Sequence, residues 1–235
     1  MAGISSGELL RQAALVLQDA GAVRWTYPEL LDYLNAAQRA IVALKPNAAT
    51  QNVVISLKKG CEQILAANHT VLSRVIRNVI NPATMSGGAV LRMLKNREIL
   101  DAMMPGWMDS TILPFGTIVS YVIYDLATPG TFFVAPGVTA DDAALIEVTV
   151  GIQPTDIPKP LLPLDLASYV TLTTLDARYF NTLLDFMLYR ALTKDGALQG
   201  AAVRAAAHKQ LFDDAMQGLV NGEGAMSVST YINGA

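Results

Sequence analysis

The chain has 235 residues, 52% hydrophobic and only 16% charged, with a formal net charge of −3 and a mean hydropathy of +0.34. An average soluble domain carries roughly 25% charge and a membrane-spanning helix needs about 18 uninterrupted apolar residues, a run absent here, so the surplus apolar surface is expected to be buried against other protein chains. An acidic balance without a basic block argues against direct nucleic-acid binding, and Cys61 with only His69 and His208 supplies neither an internal disulfide nor the usual zinc-ligand cluster.

The first seven residues lack the basic and apolar regions of a signal peptide, which points to synthesis and residence in a cytosol. Ser5 and Glu8 have the spacing of a capping box, so a helix is predicted over 6–20, with Leu10, Ala13, Ala14 and Leu17 on one face and Gly21 ending it. Thr26 and Glu29 repeat the signal before a stronger helix, in which Leu30, Leu34, Ala37, Ile41 and Leu44 recur at spacings of four and three until Pro46. The short connection makes the two helices an antiparallel pair, with Trp25 and Tyr27 packed at the corner.

From Thr50 the period becomes two. Val53, Ile55 and Leu57 share a strand face, and Lys58-Lys59-Gly60 is predicted to turn the chain back into a partner strand around 63–65. Further strands are predicted at 71–80, 118–124, 131–135 and 144–152, with Ile146, Val148, Val150 and Ile152 on one side of the last. A polar loop over 81–88 precedes another strand and a short helix near 97–104, which Pro105-Gly106 ends. Pro154, Pro158, Pro160 and Pro163 then read as a stiff, extended linker. Helices are predicted over 176–193, ending at Asp195-Gly196, and over 198–219. The pattern is α+β: a helical bundle formed by N- and C-terminal helices (1–49 and 176–220), an inserted antiparallel β domain (50–153), a linker (154–175) and an extended tail (221–235).

No phosphate loop, nucleophile elbow, metal-binding helix signature or paired-cysteine motif appears, so neither catalysis nor a cofactor nor a metal is expected. Asp141-Asp142 lies in a predicted turn, and Lys58-Lys59 reads as a solvated turn. His208, beside the apolar seam of Ala205, Phe212, Met216 and Leu219, reads as a hydrogen-bonded histidine between helices with no acidic partner in register, and His69 as a loop residue. Met103, Met104 and Met108 around Trp107 suggest an adaptable apolar plug. The alanine-rich run 201–207 fits either plain helix propensity or close packing against another subunit. Arg190 and Lys194, one turn apart near a helix end, suit either the negative end of the helix dipole or a contact with a neighbouring protein. In the tail, 226–232 alternates apolar and polar residues, so Tyr231 and Ile232 belong either to an arm that adds to a partner's sheet or to a frayed end.

Three segments carry a resemblance. They are Trp25-Thr26-Tyr27-Pro28-Glu29-Leu30-Leu31-Asp32-Tyr33-Leu34-Asn35-Ala36-Ala37-Gln38-Arg39, continuing to Leu44-Lys45-Pro46-Asn47; Tyr124-Asp125 with Pro129-Gly130-Thr131-Phe132-Phe133-Val134-Ala135-Pro136; and Leu188-Tyr189-Arg190-Ala191-Leu192-Thr193-Lys194-Asp195 with Arg204-Ala205-Ala206-Ala207-His208. In this order they resemble the phage adaptor proteins that join portal to tail, mainly in short-tailed phages. The resemblance implies a non-enzymatic virion protein at the head-tail interface, assembled in the host cytoplasm as a homo-oligomeric ring, usually a dodecamer. Such a ring binds the portal protein on one side and tail tube or nozzle proteins on the other, with no membrane partner and a channel through which DNA passes. Low charge suits buried flanks, and an acidic balance suits a conduit that does not hold DNA. Another ring-forming virion component, such as a head-closure or tail-terminator protein, shares this composition, and a soluble small-molecule-binding protein is the remaining alternative.

Overall fold

A computed structural model describes residues 3–81, 83–84, 86–194 and 200–227. The chain opens with β1 (Gly3–Ser5), α1 (Ser6–Val16) and α2 (Tyr27–Leu44), followed by strands β2 (Thr50–Ser56), β3 (Gly60–Ile64), β4 (His69–Asn81), β5 (Ser86–Val90) and β6 (Arg92–Leu94). Next come α3 (Arg97–Met103), β7 (Tyr121–Ile123), β8 (Thr131–Val138), β9 (Leu145–Ile152), β10 (Leu172–Asp176), α4 (Phe180–Lys194) and α5 (Ala201–Ser227). The fold is mixed α+β, and it divides into two compact units, one made of residues 1–48 and 154–235 and the other of residues 49–153.

In the first unit α4 packs on α1, α2 and α5, and α1 touches α2. The apolar stripes read from the sequence supply the core: Leu30, Leu34, Ala37 and Ile41 of α2 and Leu183, Met187 and Ala191 of α4 are fully buried. Leu44 departs from its stripe and is 57% exposed, because α2 ends there. Neither predicted capping box forms. The Ser5 and Thr26 side chains make no cap hydrogen bond, since other groups take those roles. The Ser6 and Gly7 amides donate to the Thr171 and Tyr169 carbonyls, each at 3.0 Å, and β1 pairs antiparallel with β10. Strand β10 therefore replaces part of the predicted extended linker. Helix α1 stops at Val16, short of the predicted end at 20. Gln18 adopts φ 59°, and the Asp19 carboxylate accepts from the Val23, Arg24 and Trp25 amides at 2.8–3.0 Å, which folds the connection back on itself. Helix α5 runs through Gly218 and Gly222 to Ser227, so the part of the predicted extended tail from 221 to 227 is helical; the remainder lies outside the described residues, as do Leu198, Asp195 and Gly196.

In the second unit one sheet has the order β2-β9-β4-β5 and the other β3-β8-β7-β6. All pairings are antiparallel except β6 with β7. The predicted β2–β3 hairpin does not form. Buried Leu57 instead carries the chain from one sheet to the other, its amide donating to the Ala144 carbonyl at 2.9 Å, so β2 pairs with β9 and β3 with β8. Leu91 makes the same crossing between β5 and β6. Ile146, Val148 and Val150 of β9 meet Val122, Phe132 and Val134 of the other sheet in one core. By strand alternation Ile123 and Ala135 face the opposite way, where they pack with Leu100, Trp107 and Cys61. Of the predicted methionine plug only Met104 joins this cluster, while Met103 is 59% exposed. His69 opens β4 opposite Ile152 rather than lying in a loop, and the predicted loop over 81–88 yields to β5 from Ser86.

Candidate assembly surface

Helix α2 presents Glu29, Asp32, Tyr33 and Arg39 on its outer side; Glu29, Asp32 and Arg39 find partners from elsewhere in the same unit, and Tyr33 pairs with Glu29 along the helix. Lys194, at the end of α4, places Nζ 2.7 Å from both Glu29 carboxylate oxygens, and the Tyr33 hydroxyl donates to Glu29 Oε1 at 2.7 Å. Burial alone raises the Glu29 carboxyl, but the Lys194 and Tyr33 hydrogen bonds outweigh it and hold the group below the usual carboxylate range. Tyr33 moves the other way: burial first, then the hydrogen bond to Glu29, push its phenol up to about 12. The Lys194 ammonium thus ties α4 to α2. Arg190, one turn earlier, is exposed and close enough to act electrostatically on Tyr33. Tyr231 and Ile232 lie outside the described residues.

Past Glu29 the segment after β9 runs along α2. Asn35 is buried and acts as a surrogate strand, its Nδ2 donating to the Ile157 carbonyl at 3.0 Å and its Oδ1 accepting the Ile157 amide at 2.9 Å. Lys159 pairs with Asp32 at 2.9 Å, and Arg39 pairs with Asp156. These pairs straddle Asn35 and fix the register of the segment on the helix. Polar Asn35 among the apolar positions 34, 37 and 41 was the available sequence signal for this docking.

The segment then turns sharply and offers leucines to solvent. Leu161 is 100%, Leu162 64% and Leu164 77% exposed. The turn is closed on itself. Ser168 Oγ donates to the Leu162 carbonyl at 2.7 Å, Tyr169 Oη donates to the Pro163 carbonyl at 2.8 Å, and Asp165 Oδ1 accepts the Ala167 amide at 3.0 Å. The Tyr169 ring packs edge-on against Tyr27, with centroids 6.0 Å apart. The hydrogen-bonded turn thus holds these leucine side chains outward, away from the core of the unit. The proline spacing over 154–163 predicts an extended linker here and gives no sign of the turn.

The other candidates serve structure. His208 Nδ1 lies 2.9 Å from Asp185 Oδ1 of α4, so the expected inter-helix hydrogen bond is present and the acidic partner, which the sequence did not reveal, comes from the facing helix. Asp141 Oδ1 accepts the Lys59 amide at 2.8 Å and Asp142 pairs with Lys58 at 3.5 Å, so the acidic pair pins the crossing between the sheets. Burial pushes the Cys61 thiol up, away from thiolate reactivity. Among the described residues no group of three His, Cys, Asp or Glu side chains is placed to hold a metal ion, and no helix is long and apolar enough to cross a membrane. The family model described as SU10 adaptor protein matches residues 4–231 of the chain. No curated protein matches it.

Proposed function

Because the chain belongs to the SU10 adaptor protein family, a family of phage structural adaptors, we propose that it forms a homo-oligomeric ring beneath the portal and joins the head to the tail around a channel for DNA. The near full-length family membership carries this reading. The subunit is built of two compact units, one helical and one an inserted β unit, and the ring they form meets portal on one side and tail tube or nozzle proteins on the other. The surface supports a conduit rather than a DNA-binding protein: the chain is net negative, and cations such as Lys58, Lys159 and Lys194 are paired with carboxylates. Assembly takes place in the host cytoplasm and the finished ring resides in the virion.

Arg190 is the candidate contact cation for a neighbouring protein, with Lys194 committed to Glu29, and Tyr231 and Ile232 are candidate contacts in a terminal arm. Size exclusion coupled to light scattering, with and without purified portal, tests the whole reading. A multimer that co-elutes with portal is the expected result, and a monomer indifferent to portal contradicts it. In the same measurement Arg190→Ala, or removal of residues 228–235, should weaken portal attachment at an unchanged melting temperature.

A further inference from the structure

The ring reading leaves open which surfaces of adjacent copies meet, and the first unit carries two exposed apolar faces that are unlike one another. The first is the hydrogen-bonded turn at 161–164, continued by Val170 (75% exposed) and Leu172 (55% exposed). It borders the start of α1, where the Gly7 amide donates to the Tyr169 carbonyl at 3.0 Å. The second lies at the other end of α1, where Arg204 Nη2 donates to the Val16 carbonyl at 3.3 Å and brings the first turn of α5 onto the helix end. There Leu15 is 49%, Val16 38%, Val23 84% and Val203 74% exposed. Eleven residues of α1 separate the two faces, roughly 16 Å of helix.

Resting on the ring reading, we infer that the 161–164 turn of one copy seats on the Leu15, Val16, Val23 and Val203 face of the next copy. Charge favours this pairing. Asp165 is the only charged residue between positions 160 and 175, whereas the second face is flanked by two cations, Arg24 and Arg204, against one carboxylate, Asp19, and so keeps a positive balance. Turn against turn would instead oppose two Asp165 carboxylates. Area is compatible with it: the two faces together expose on the order of 1,000 Å² of mostly apolar surface, the lower bound for a specific interface. A contact between unlike faces leaves one of each open on every growing assembly until rotation closes a ring, whereas a like-with-like contact stops at two copies. The turn enters the contact already ordered, so little conformational entropy is lost on docking.

The test uses the full chain at roughly 100 μM, a concentration at which micromolar contacts are populated. Leu162→Asp and Val203→Asp each damage one face at an exposed position, and circular dichroism establishes that the fold survives. Leu161→Asp and Val23→Asp repeat the experiment at independent sites. Wild type is expected as a multimer, and each variant alone at the 25.1 kDa of one chain. An equimolar mixture of Leu162→Asp with Val203→Asp should recover the mass of two chains and no more, since only one intact face of each kind remains to pair. Variants that assemble like a multimeric wild type overturn the contact while leaving the ring reading intact, and free the turn for another particle protein. A wild type that stays monomeric overturns the contact as a self-sufficient interface, and the ring reading then stands or falls on the portal measurement.

Discussion

Glu29 shows how one side chain changes meaning between sequence and structure. Its spacing from Thr26 predicts a cap, yet it accepts from Lys194 and Tyr33 instead, because a cation brought in by a distant helix outcompetes a local amide. The linkage has two signs. The folded Glu29 carboxyl lies below its ordinary value of 4.5, so its contribution is present above that value and lost as the pH falls through the folded pKa. The Tyr33 phenol, ordinarily at 10.0 and pushed up to about 12, contributes up to pH 10 and loses that contribution between pH 10 and 12. Glu29→Gln should cost less than about 1 kcal/mol, since Lys194 is half-exposed and the pair is screened, and it should flatten the acid limb of a melting-temperature profile. Tyr33→Phe should flatten the alkaline limb. Unchanged limbs in both variants would contradict the assignment of this trio. Glu29 and Tyr33, four apart on a predicted helix, were legible as neighbours; Lys194 was not, because the 165 positions separating it from Glu29 leave no periodic trace.

At the scale of elements, legibility followed length and self-sufficiency. Helices α2 and α4 and strand β9 each repeat an apolar spacing over several turns or pleats, and their burial follows that spacing. Strands β1 and β10 are three and five residues long and exist only as each other's partners, so neither carries a pattern of its own. The false β2–β3 hairpin arose because Lys58-Lys59-Gly60 has turn chemistry, while the choice between turning within a sheet and crossing between sheets is made by Leu57, an apolar residue that either outcome accommodates. Close packing in β8 was equally hidden. A Cβ on Gly137 would lie 2.7 Å from Phe115 Cε1 and 2.8 Å from Cys61 Sγ. Gly137→Ala should therefore destabilise the chain by about 1–3 kcal/mol through overpacking. Adding Cys61→Ala should recover part of that loss in a denaturant titration, because it removes one of the two obstructing side chains. Strict additivity of the two changes would show that Phe115 alone sets the limit.

The whole molecule is organised around one pair of neighbouring strands. The second unit begins at Ala49 and ends at Gln153, and these ends are side by side: Thr50 is paired with Gly151, and the Ile152 amide donates to the Ala49 carbonyl at 2.9 Å. A unit that starts and stops at adjacent strands imposes almost no spacing on the chain that carries it, which is the condition under which domain insertion is tolerated. The first unit is held in return by contacts between its two halves, among them β1 with β10, Trp25 Nε1 on the Ala191 carbonyl at 3.0 Å, and Asn35 on Ile157. Each body has its own core, so each should fold alone. The fragment 49–153, and a chain in which a two-glycine linker replaces those residues, should both give cooperative melts and dispersed amide spectra. The relinked chain should also retain the mixed-variant heterodimer described above, because both faces of that contact belong to the first unit. A relinked chain that folds but no longer pairs would place part of the intersubunit contact on the β unit, and failure of both fragments to fold would show that the two bodies are energetically one.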